Sequence, residues 1–419
     1  MPKFSLQNAS PLGRAALAAA VVAIVALHYF FAKWGLANMA SVRTDMPEVA
    51  ATAVELAPGD PQTHYAAAVL YERTFLPEDQ ARALAEYEKA AALAPHNYLL
   101  WLALGTARSR AGDLDAAAAA LERARQLAPN YSAVRWAIGN LMVRRGRTDE
   151  GFAEIGRAVA ADDKLAQPAA VLAMQVLGAE PPRLAEFGRD IPALNAALAL
   201  SLARADRFDE ALELWRRMPA DRGPVPADAA RSLFDLLVAK HRYRAAREVT
   251  GARSGDELVS NGGFEDPISL SAPTPFEWQI ASGGGQPQVV PVSGTRRTGD
   301  RSLALVFDLG ETRHFRPVSQ TIAVEPGAAY RFEAYYRAEL RDSRPVKWEI
   351  VDAATGSAIA AAGPINTTTS QNWERLAVEF TQPKESDGVT IRLVPDGCAA
   401  IICKITGRVW LDDVSLKKR

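Results

Sequence analysis

The segment WLALGTARSRAGDLDAAAAALERARQLAP (Trp101–Pro129) decides the fold of the first part of the chain. Small residues at Gly105 and Ala124 let two helices approach each other closely, and neighbouring leucines fill the seam between them. Pro129 ends the second helix, because proline cannot continue the helical hydrogen-bond ladder. The segment therefore predicts a hairpin of two packed helices.

The same ending recurs along the chain, as VELAPGD (Val54–Asp60), AALAPHN (Ala91–Asn97) and RQLAPNY (Arg125–Tyr131). Pro95 and Pro129 are 34 positions apart, which is the period of the tetratricopeptide repeat. In its small and large apolar positions the segment resembles that family residue by residue. One hairpin cannot bury its apolar face alone, so neighbouring hairpins must stack.

We predict roughly five or six such hairpins over residues 47–250, the later ones divergent. The resemblance implies a helical solenoid that presents a concave surface to a protein or peptide. The alternative is a solenoid that serves only as a rigid spacer.

Residues Ala15–Ala32 read AALAAAVVAIVALHYFFA and contain no charged side chain. The run approaches the roughly 20 residues with which a helix crosses a bilayer. It predicts a transmembrane anchor at 15–33, between a tail at 1–14 and a linker at 34–46. A cleaved signal peptide and a buried helix of the repeats are the alternatives.

After a predicted linker at 251–256, the composition changes from alanine-rich helices to alternating strands and Gly/Pro turns. Runs with a period of two include SLALVF (Ser302–Phe307), YRFEAYY (Tyr330–Tyr336) and VTIRLV (Val389–Val394). Many short strands separated by turns predict an antiparallel β-sandwich of the jelly-roll type over residues 257–419.

The segments NGGFE (Asn261–Glu265), GDRSLAL (Gly299–Leu305) and VWLDDVSL (Val409–Leu416) stand in the order seen in galactose-binding-like jelly rolls. The chain resembles most the carbohydrate-binding modules appended to bacterial xylanases and glucanases. This resemblance implies a structural calcium ion as cofactor. Carried over, its ligands are Gly263 (through its carbonyl), Glu265 and Asp412, and alternation is expected to point Asp413 to the opposite face.

Carbohydrate-binding proteins stack aromatic rings on sugars and bind the hydroxyl groups with polar side chains. Alternation predicts that Tyr330, Phe332 and Ala334 lie in the core. The same pattern predicts that Trp348 is a core residue. The candidate ligand face then consists of the polar set on the other side: Glu333, Tyr335, Arg337 and Lys347. A charged face that only meets water is the alternative.

Cys398 and Cys403 are predicted to form a disulfide if the domain lies outside the cytoplasm, and to be buried thiols otherwise. The formal net charge of −1 provides no global field for nucleic acid. The sequence contains no Walker loop, nucleophile elbow, HExxH or dinucleotide fingerprint, so an enzyme is not predicted.

Together these patterns predict a multidomain chain: a transmembrane helix, an α-solenoid and a β-sandwich. The predicted function is a non-enzymatic scaffold at the bacterial inner membrane, with most of the chain outside the cytoplasm. Its predicted partners are a protein on the repeats and a polysaccharide on the sandwich, in the context of exopolysaccharide or O-antigen assembly. The alternatives are a purely structural interaction module and an accessory polysaccharide-processing enzyme.

Overall fold

The computed structural model describes residues 11–178, 180–218, 227–251, 257–269, 271–281, 285–307, 315–341, 345–366, 372–396 and 405–419. The chain divides into two compact units, Met1–Leu198 and Ala199–Arg419. Each unit has a core of its own, and each is considered separately below.

Helices account for the whole described part of the first unit apart from its turns. In chain order the helices are α1 (Pro11–Arg43), α2 (Pro47–Leu56), α3 (Pro61–Arg73), α4 (Pro77–Leu93), α5 (Tyr98–Ala111), α6 (Leu114–Leu127), α7 (Ser132–Arg144), α8 (Thr148–Ala161), α9 (Ala166–Val176), α10 (Pro181–Gly188), α11 (Pro192–Arg204), α12 (Phe208–Arg216), α13 (Ala227–Ala239) and α14 (Tyr243–Val249). The division between the units falls inside α11, so α12 to α14 belong to the unit that contains the sandwich.

Helix α1 is 33 residues long, and its apolar N-terminal part is exposed. Among the described residues it is the helix whose length and composition would let it cross a membrane, a property that signal sequences share. The same helix continues beyond the apolar run, where Ala37 packs against Ala53 and Ala57 of the α2 region. The segment predicted as a linker, 34–46, is helical to Arg43, and its small residues pack on α2.

The close helix contacts expected within the repeats are present. A Cβ atom added at Gly105 would lie 2.6 Å from Leu121 Cγ, and one added at Gly139 would lie 2.6 Å from Ile155 Cγ1. Ala124 is fully buried in the same seam. The 34-residue register read from the sequence thus places the small residues where α5 meets α6 and where α7 meets α8.

The sandwich consists of two antiparallel sheets. Its strands are β1 (Gln279–Ile280), β2 (Gln288–Val292), β3 (Ser302–Phe307), β4 (Val318–Ala323), β5 (Ala329–Leu340), β6 (Val346–Asp352), β7 (Ala358–Ile365), β8 (Glu374–Thr381), β9 (Gly388–Pro395) and β10 (Gly407–Lys418). One sheet has the order β1-β4-β9-β6-β7 and is called here the β9 sheet. The other has the order β2-β3-β10-β5-β8 and is called the β10 sheet.

Aromatic rings fill the space between the two sheets. The Trp348 ring lies 5.5 Å from that of Phe332 and 6.1 Å from that of Trp278, measured between centroids. Tyr330, Phe332 and Ala334 are all buried, as their alternation with polar residues predicts. The core side of β5 is therefore the side that the sequence indicates, and its polar side faces outward.

Candidate functional site

The outward side of β5 carries three of the four predicted ligand-face residues. Glu333, Tyr335 and Arg337 are each half-buried and alternate with core residues. Lys347 lies on β6, in the β9 sheet, and forms an ion pair of 3.0 Å with Asp396. The prediction that all four share one face is wrong, because alternation within a strand does not tell which sheet the strand joins.

The ring of Tyr335 is already covered on one side. The guanidinium carbon of Arg297 lies 3.5 Å from the centroid of this ring, a cation–π contact. On the same face the Arg337 guanidinium lies 5.2 Å from the Trp410 ring and pairs with Glu339 at 2.9 Å. A sugar could therefore stack on either ring only after an arginine had moved away.

The carboxylate of Glu333 also has ion-pair partners within the protein. Its carboxylate pairs with Arg375 across the β5–β8 pair at 2.6 Å and with Arg331 on its own strand at 2.6 Å. The outer face of the β10 sheet is thus a network of ion pairs among partly exposed side chains, and such pairs contribute little to stability.

The outer face of the β9 sheet carries a polar row that the sequence analysis did not single out. Gln279, Ser319, Arg392 and Glu349 stand directly beside one another on the adjacent strands β1, β4, β9 and β6. All four are half-buried, and Arg392 pairs with Glu349 at 2.6 Å. Two residues further along β4 and β9, the hydroxyl oxygens of Thr321 and Thr390 lie 2.8 Å apart. We call the first four residues the polar row.

A signal for the polar row was present in the sequence. The run VTIRLV (Val389–Val394) alternates polar with apolar residues, as a strand with one outward face does, and VKWEIV on β6 does the same. Aromatic rings are the usual sign of a sugar-binding face, and the polar row contains hydroxyl, amide and charged groups instead. The pairing of β4 with β9 and of β9 with β6 is what brings these side chains together.

The residues predicted to bind calcium lie close together. A Cβ atom added at Gly263 would lie 3.8 Å from Glu265 Cγ and 4.0 Å from Asp412 Oδ1. Asp412 is fully buried, and its Oδ2 accepts hydrogen bonds from the backbone N–H groups of Arg297 (2.7 Å) and Thr298 (3.3 Å). The pKa of Asp412 is raised, chiefly by burial. The hydrogen bond from the N–H of Arg297 lowers this pKa, whereas the neighbouring carboxylate of Asp413 raises it further.

Glu265 is held by the same loop. Its carboxylate accepts hydrogen bonds from the backbone N–H groups of Asp300 (2.9 Å) and Arg301 (3.2 Å). Both predicted ligands thus already have backbone donors. Carboxylate and carbonyl oxygens are nevertheless the kind of donor that calcium prefers, so the residues fit the ion in chemistry.

The expected orientation of Asp413 is wrong. Its carboxylate accepts a hydrogen bond from Thr298 Oγ1 at 2.6 Å and pairs with Arg297, so it meets the same loop as Asp412. The cause is a bulge in β10, where the register shifts between Asp412 and Ser415 and Asp413 has a φ of 46°. A bulge breaks the simple alternation of side chains.

Two further predictions concern other groups. Cys398 and Cys403 lie outside the described residues. Within the parts of the chain that the structure describes, three or more His, Cys, Asp or Glu side chains do not gather in a way that could hold a metal ion. The calcium prediction accordingly depends on two carboxylates and a carbonyl.

The repeats expose apolar side chains at the end of the hairpins where the LAP-containing loops lie. Leu99 is 50% exposed and Tyr131 is 49% exposed, and the rings of Tyr98 and Tyr131 meet edge to face at 4.9 Å. Exposed apolar groups of this kind are suited to contact with another protein.

Comparisons with known proteins agree with both parts of the fold. Residues 108–174 match a family model described as tetratricopeptide repeat, and residues 256–396 match one described as carbohydrate binding domain. No curated protein matches the chain.

Three solved structures illustrate the range of likeness. One described as "CBM4 structure and function" is 21% identical, with a TM-score of 0.30, over 38% of this chain and 99% of its own. The CBM22-1 xylan-binding domain of Xyn10C from Paenibacillus barcinonensis is 16% identical, with a TM-score of 0.27, over 40% of this chain and 97% of its own. The repeat protein YrrB is 19% identical, with a TM-score of 0.23, over 49% of this chain and 90% of its own. The chain thus carries tetratricopeptide repeats followed by a β-sandwich of the carbohydrate-binding-module type.

Proposed function

We propose that the protein is a membrane-anchored scaffold of the bacterial envelope whose repeats hold a protein partner and whose sandwich binds a glycan. Helix α1 is long and apolar enough to serve as the anchor. The two family matches supply the repeat platform and the sandwich. With the chain beyond α1 outside the cytoplasm, assembly of an exopolysaccharide or of O-antigen is the natural context.

The polar row carries the glycan part of this proposal. Its amide, hydroxyl, guanidinium and carboxylate groups cross four neighbouring strands of an outward sheet face. Sugar hydroxyl groups both donate and accept hydrogen bonds, so a row that offers both kinds of partner can follow the length of a glycan chain. The outer face of the β10 sheet offers less, since its rings and carboxylates already have partners.

A glycan array probed with the full chain in detergent tests this assignment. The double variant Arg392→Ala/Glu349→Ala removes an ion pair of 2.6 Å from the polar row. Its matched control, Arg375→Ala/Glu333→Ala, removes an ion pair of 2.6 Å from the β10 sheet. We expect the first variant to lose the array signal and the second to keep it. Equal signals from both variants would show that the polar row is not the glycan site.

A purely structural sandwich is the second candidate function. In its favour, the one large apolar side chain that is exposed in the described part of the sandwich is Val290, so an open aromatic platform for stacking on sugars is not seen there. An array without signal, together with co-purification of a protein partner that depends on the sandwich, would support this candidate. The accessory enzyme remains a third, with no observation of its own.

We also propose a structural calcium ion held by Gly263, Glu265 and Asp412. The ion would tie the segment before β1 to the last strand, β10, and it would offset the charge of the buried Asp412 carboxylate. The pairing of Cys398 with Cys403 follows from the same proposed location outside the cytoplasm.

A further inference from the structure

A second candidate site, which is concave, lies within the unit Ala199–Arg419, where α14 is seated on the end of the sandwich. The backbone N–H groups of Tyr243 and Arg244 donate hydrogen bonds of 2.9 and 3.1 Å to the carboxylate of Asp387. The Tyr243 hydroxyl donates to the carbonyl oxygen of Ala353 at 3.0 Å. The tyrosine is buried, so these contacts fix the helix against the turn that precedes β9.

Beside this seat lies a cleft of about 1180 Å³. Its walls are α12, α14, the turns that precede β5 and β9, and the end of β10. We call this space the α14 cleft. It is distinct from the polar row, since none of the four residues of that row lines it.

The lining of the α14 cleft carries an excess of positive charge. It includes eight Lys and Arg side chains against five carboxylates, an excess of three positive charges in a chain whose formal net charge is −1. Some of these charges are neutralised: Arg216 pairs bidentately with Glu248, at 2.7 and 2.9 Å. Four cations have no carboxylate within ion-pair distance among the residues that the structure describes: Arg244, Arg247, Lys384 and Lys417. At longer range Arg244 still interacts with Glu325, and Lys417 with Glu257.

These four cations come from both walls. Arg244 and Arg247 are three positions apart on α14, so they lie on one side of the helix. Lys384 and Lys417 come from the sandwich and are exposed. A concave surface lined by charge of one sign concentrates the field and attracts ions of the opposite sign. Guanidinium groups in addition bind carboxylates in a forked, directional geometry.

The cleft is poorly suited to neutral ligands or apolar anchors. Its tyrosine, Tyr330, is 1% exposed, and the oxygen of its hydroxyl accepts a hydrogen bond from the backbone N–H of Glu325 at 2.7 Å. The exposed ring of the lining is the imidazole of His241, so a neutral sugar would find no open tyrosine, tryptophan or phenylalanine on which to stack. Leu212 and Val324, which also line the cleft, are buried and offer little surface to an apolar side chain of a peptide. A ligand that carries repeated carboxylates matches what the walls offer.

We propose that the α14 cleft binds an acidic polysaccharide, one with carboxylate groups on its sugar units. This inference rests on the proposed glycan-binding function and extends it to a second site with its own selectivity. The polar row then contacts neutral hydroxyl groups, while the cleft selects for charge.

Binding of polygalacturonate by the full chain in detergent, measured calorimetrically, tests the proposal, with the methyl ester of that polymer as the uncharged counterpart. We expect polygalacturonate to bind, with an affinity that falls steeply as salt is added, and the ester to bind at least about tenfold more weakly. The variant Arg247→Gln/Lys384→Gln should weaken polygalacturonate binding by about tenfold. The single-charge control Arg408→Gln, at an exposed arginine on the β10 sheet outside the cleft, should bind as the wild type does, whereas Arg247→Gln alone should differ from this control in the same direction as the double variant.

The alternative outcomes separate the two proposals. Equal binding of polymer and ester, or equal binding by the cleft variant and the wild type, overturns the α14 cleft site while leaving glycan binding at the polar row intact. Polyglutamate that competes as well as polygalacturonate would replace the polysaccharide by an acidic peptide and overturn the assignment. If no glycan of either kind binds, the proposed function and this inference both fall. Hydrogen exchange of each variant, compared with that of the wild type, checks that the substitutions leave the fold unchanged.

Discussion

Replacing Gly388 by alanine tests the contact that seats α14 on the sandwich. A Cβ atom at this position would lie 2.1 Å from Tyr243 Cδ2 and 2.7 Å from Tyr243 Cε2. Carbon atoms in contact prefer separations of about 3.5–4.0 Å, so the ring must move by more than about 1 Å. The tyrosine is 6% exposed and tied through its hydroxyl to Ala353, so it has little room to move.

The cost follows from these contacts. Inserting one methyl group into a filled space costs about 1–3 kcal/mol. A broken hydrogen bond between Tyr243 and Ala353 adds about 1 kcal/mol. Gly294→Ala is the matched control, because a Cβ atom there would meet nothing within 4 Å.

Hydrogen exchange of the full chain in detergent is the suitable assay, because the melting of a chain with several units is not one transition. We expect Gly388→Ala to speed exchange in α14, whereas Gly294→Ala leaves it unchanged. In a Tyr243→Ala background the added methyl group meets no ring, so Gly388→Ala should then have almost no further effect. Equal effects of Gly388→Ala in both backgrounds would refute the seat of α14 on the sandwich.

Four further predictions concern other parts of the chain. Ala124→Leu should overpack the α5–α6 seam and lower the stability of the repeats by about 1–3 kcal/mol, and an unchanged denaturation midpoint would contradict the repeat register. Burial raises the pKa of Glu86, but hydrogen bonds from Lys89 and His64 outweigh it, so the pKa is lowered overall. A lowered carboxylate pKa stabilises the fold above the unfolded value of about 4.3, and this contribution is lost as the pH falls through the folded value; the stability gap between wild type and Glu86→Gln should therefore close on acidification. Calcium should raise the melting temperature of the sandwich in the wild type and not in Asp412→Ala; melting curves with calcium and with chelator that coincide for the wild type would remove the ion from the proposal. Alkaline phosphatase fused after Ser41 should be active, and an inactive fusion beside an active cytoplasmic reporter would reverse the proposed topology.

The fold was accessible from the sequence because both of its parts are periodic. The 34-residue spacing of the prolines and the small residues at Gly105 and Ala124 identify the repeats, and their close contacts appear as expected. The two-residue alternation around Phe332 likewise separates the core side of β5 from its outward side. Local patterns of this kind survive folding because each element must bury one face.

The site was less accessible because it depends on which strands become neighbours. The polar row exists only where Ser319, Arg392 and Glu349 come into register on three strands that are not consecutive in the chain. Lys347 was grouped with polar residues of β5 for the same reason, although its strand, β6, belongs to the other sheet. The contact between Tyr243 and Asp387 joins residues 144 positions apart, and no repeat or alternation marks it.

The α14 cleft has a local excess of positive charge that the net charge of the whole chain does not indicate. A net charge of −1 excludes a global basic field, and that argument holds for the chain as a whole. Both carboxylate oxygens of Asp387 accept hydrogen bonds from backbone N–H groups at the start of α14, so this carboxylate is less free to pair with a cationic side chain. Glu248 is likewise held by Arg216. Two of the acids beside the cleft are thus engaged in holding α14, while Arg244 and Arg247 on the same helix form no close ion pair with a described residue. The positive surface is therefore a consequence of how α14 is held in place.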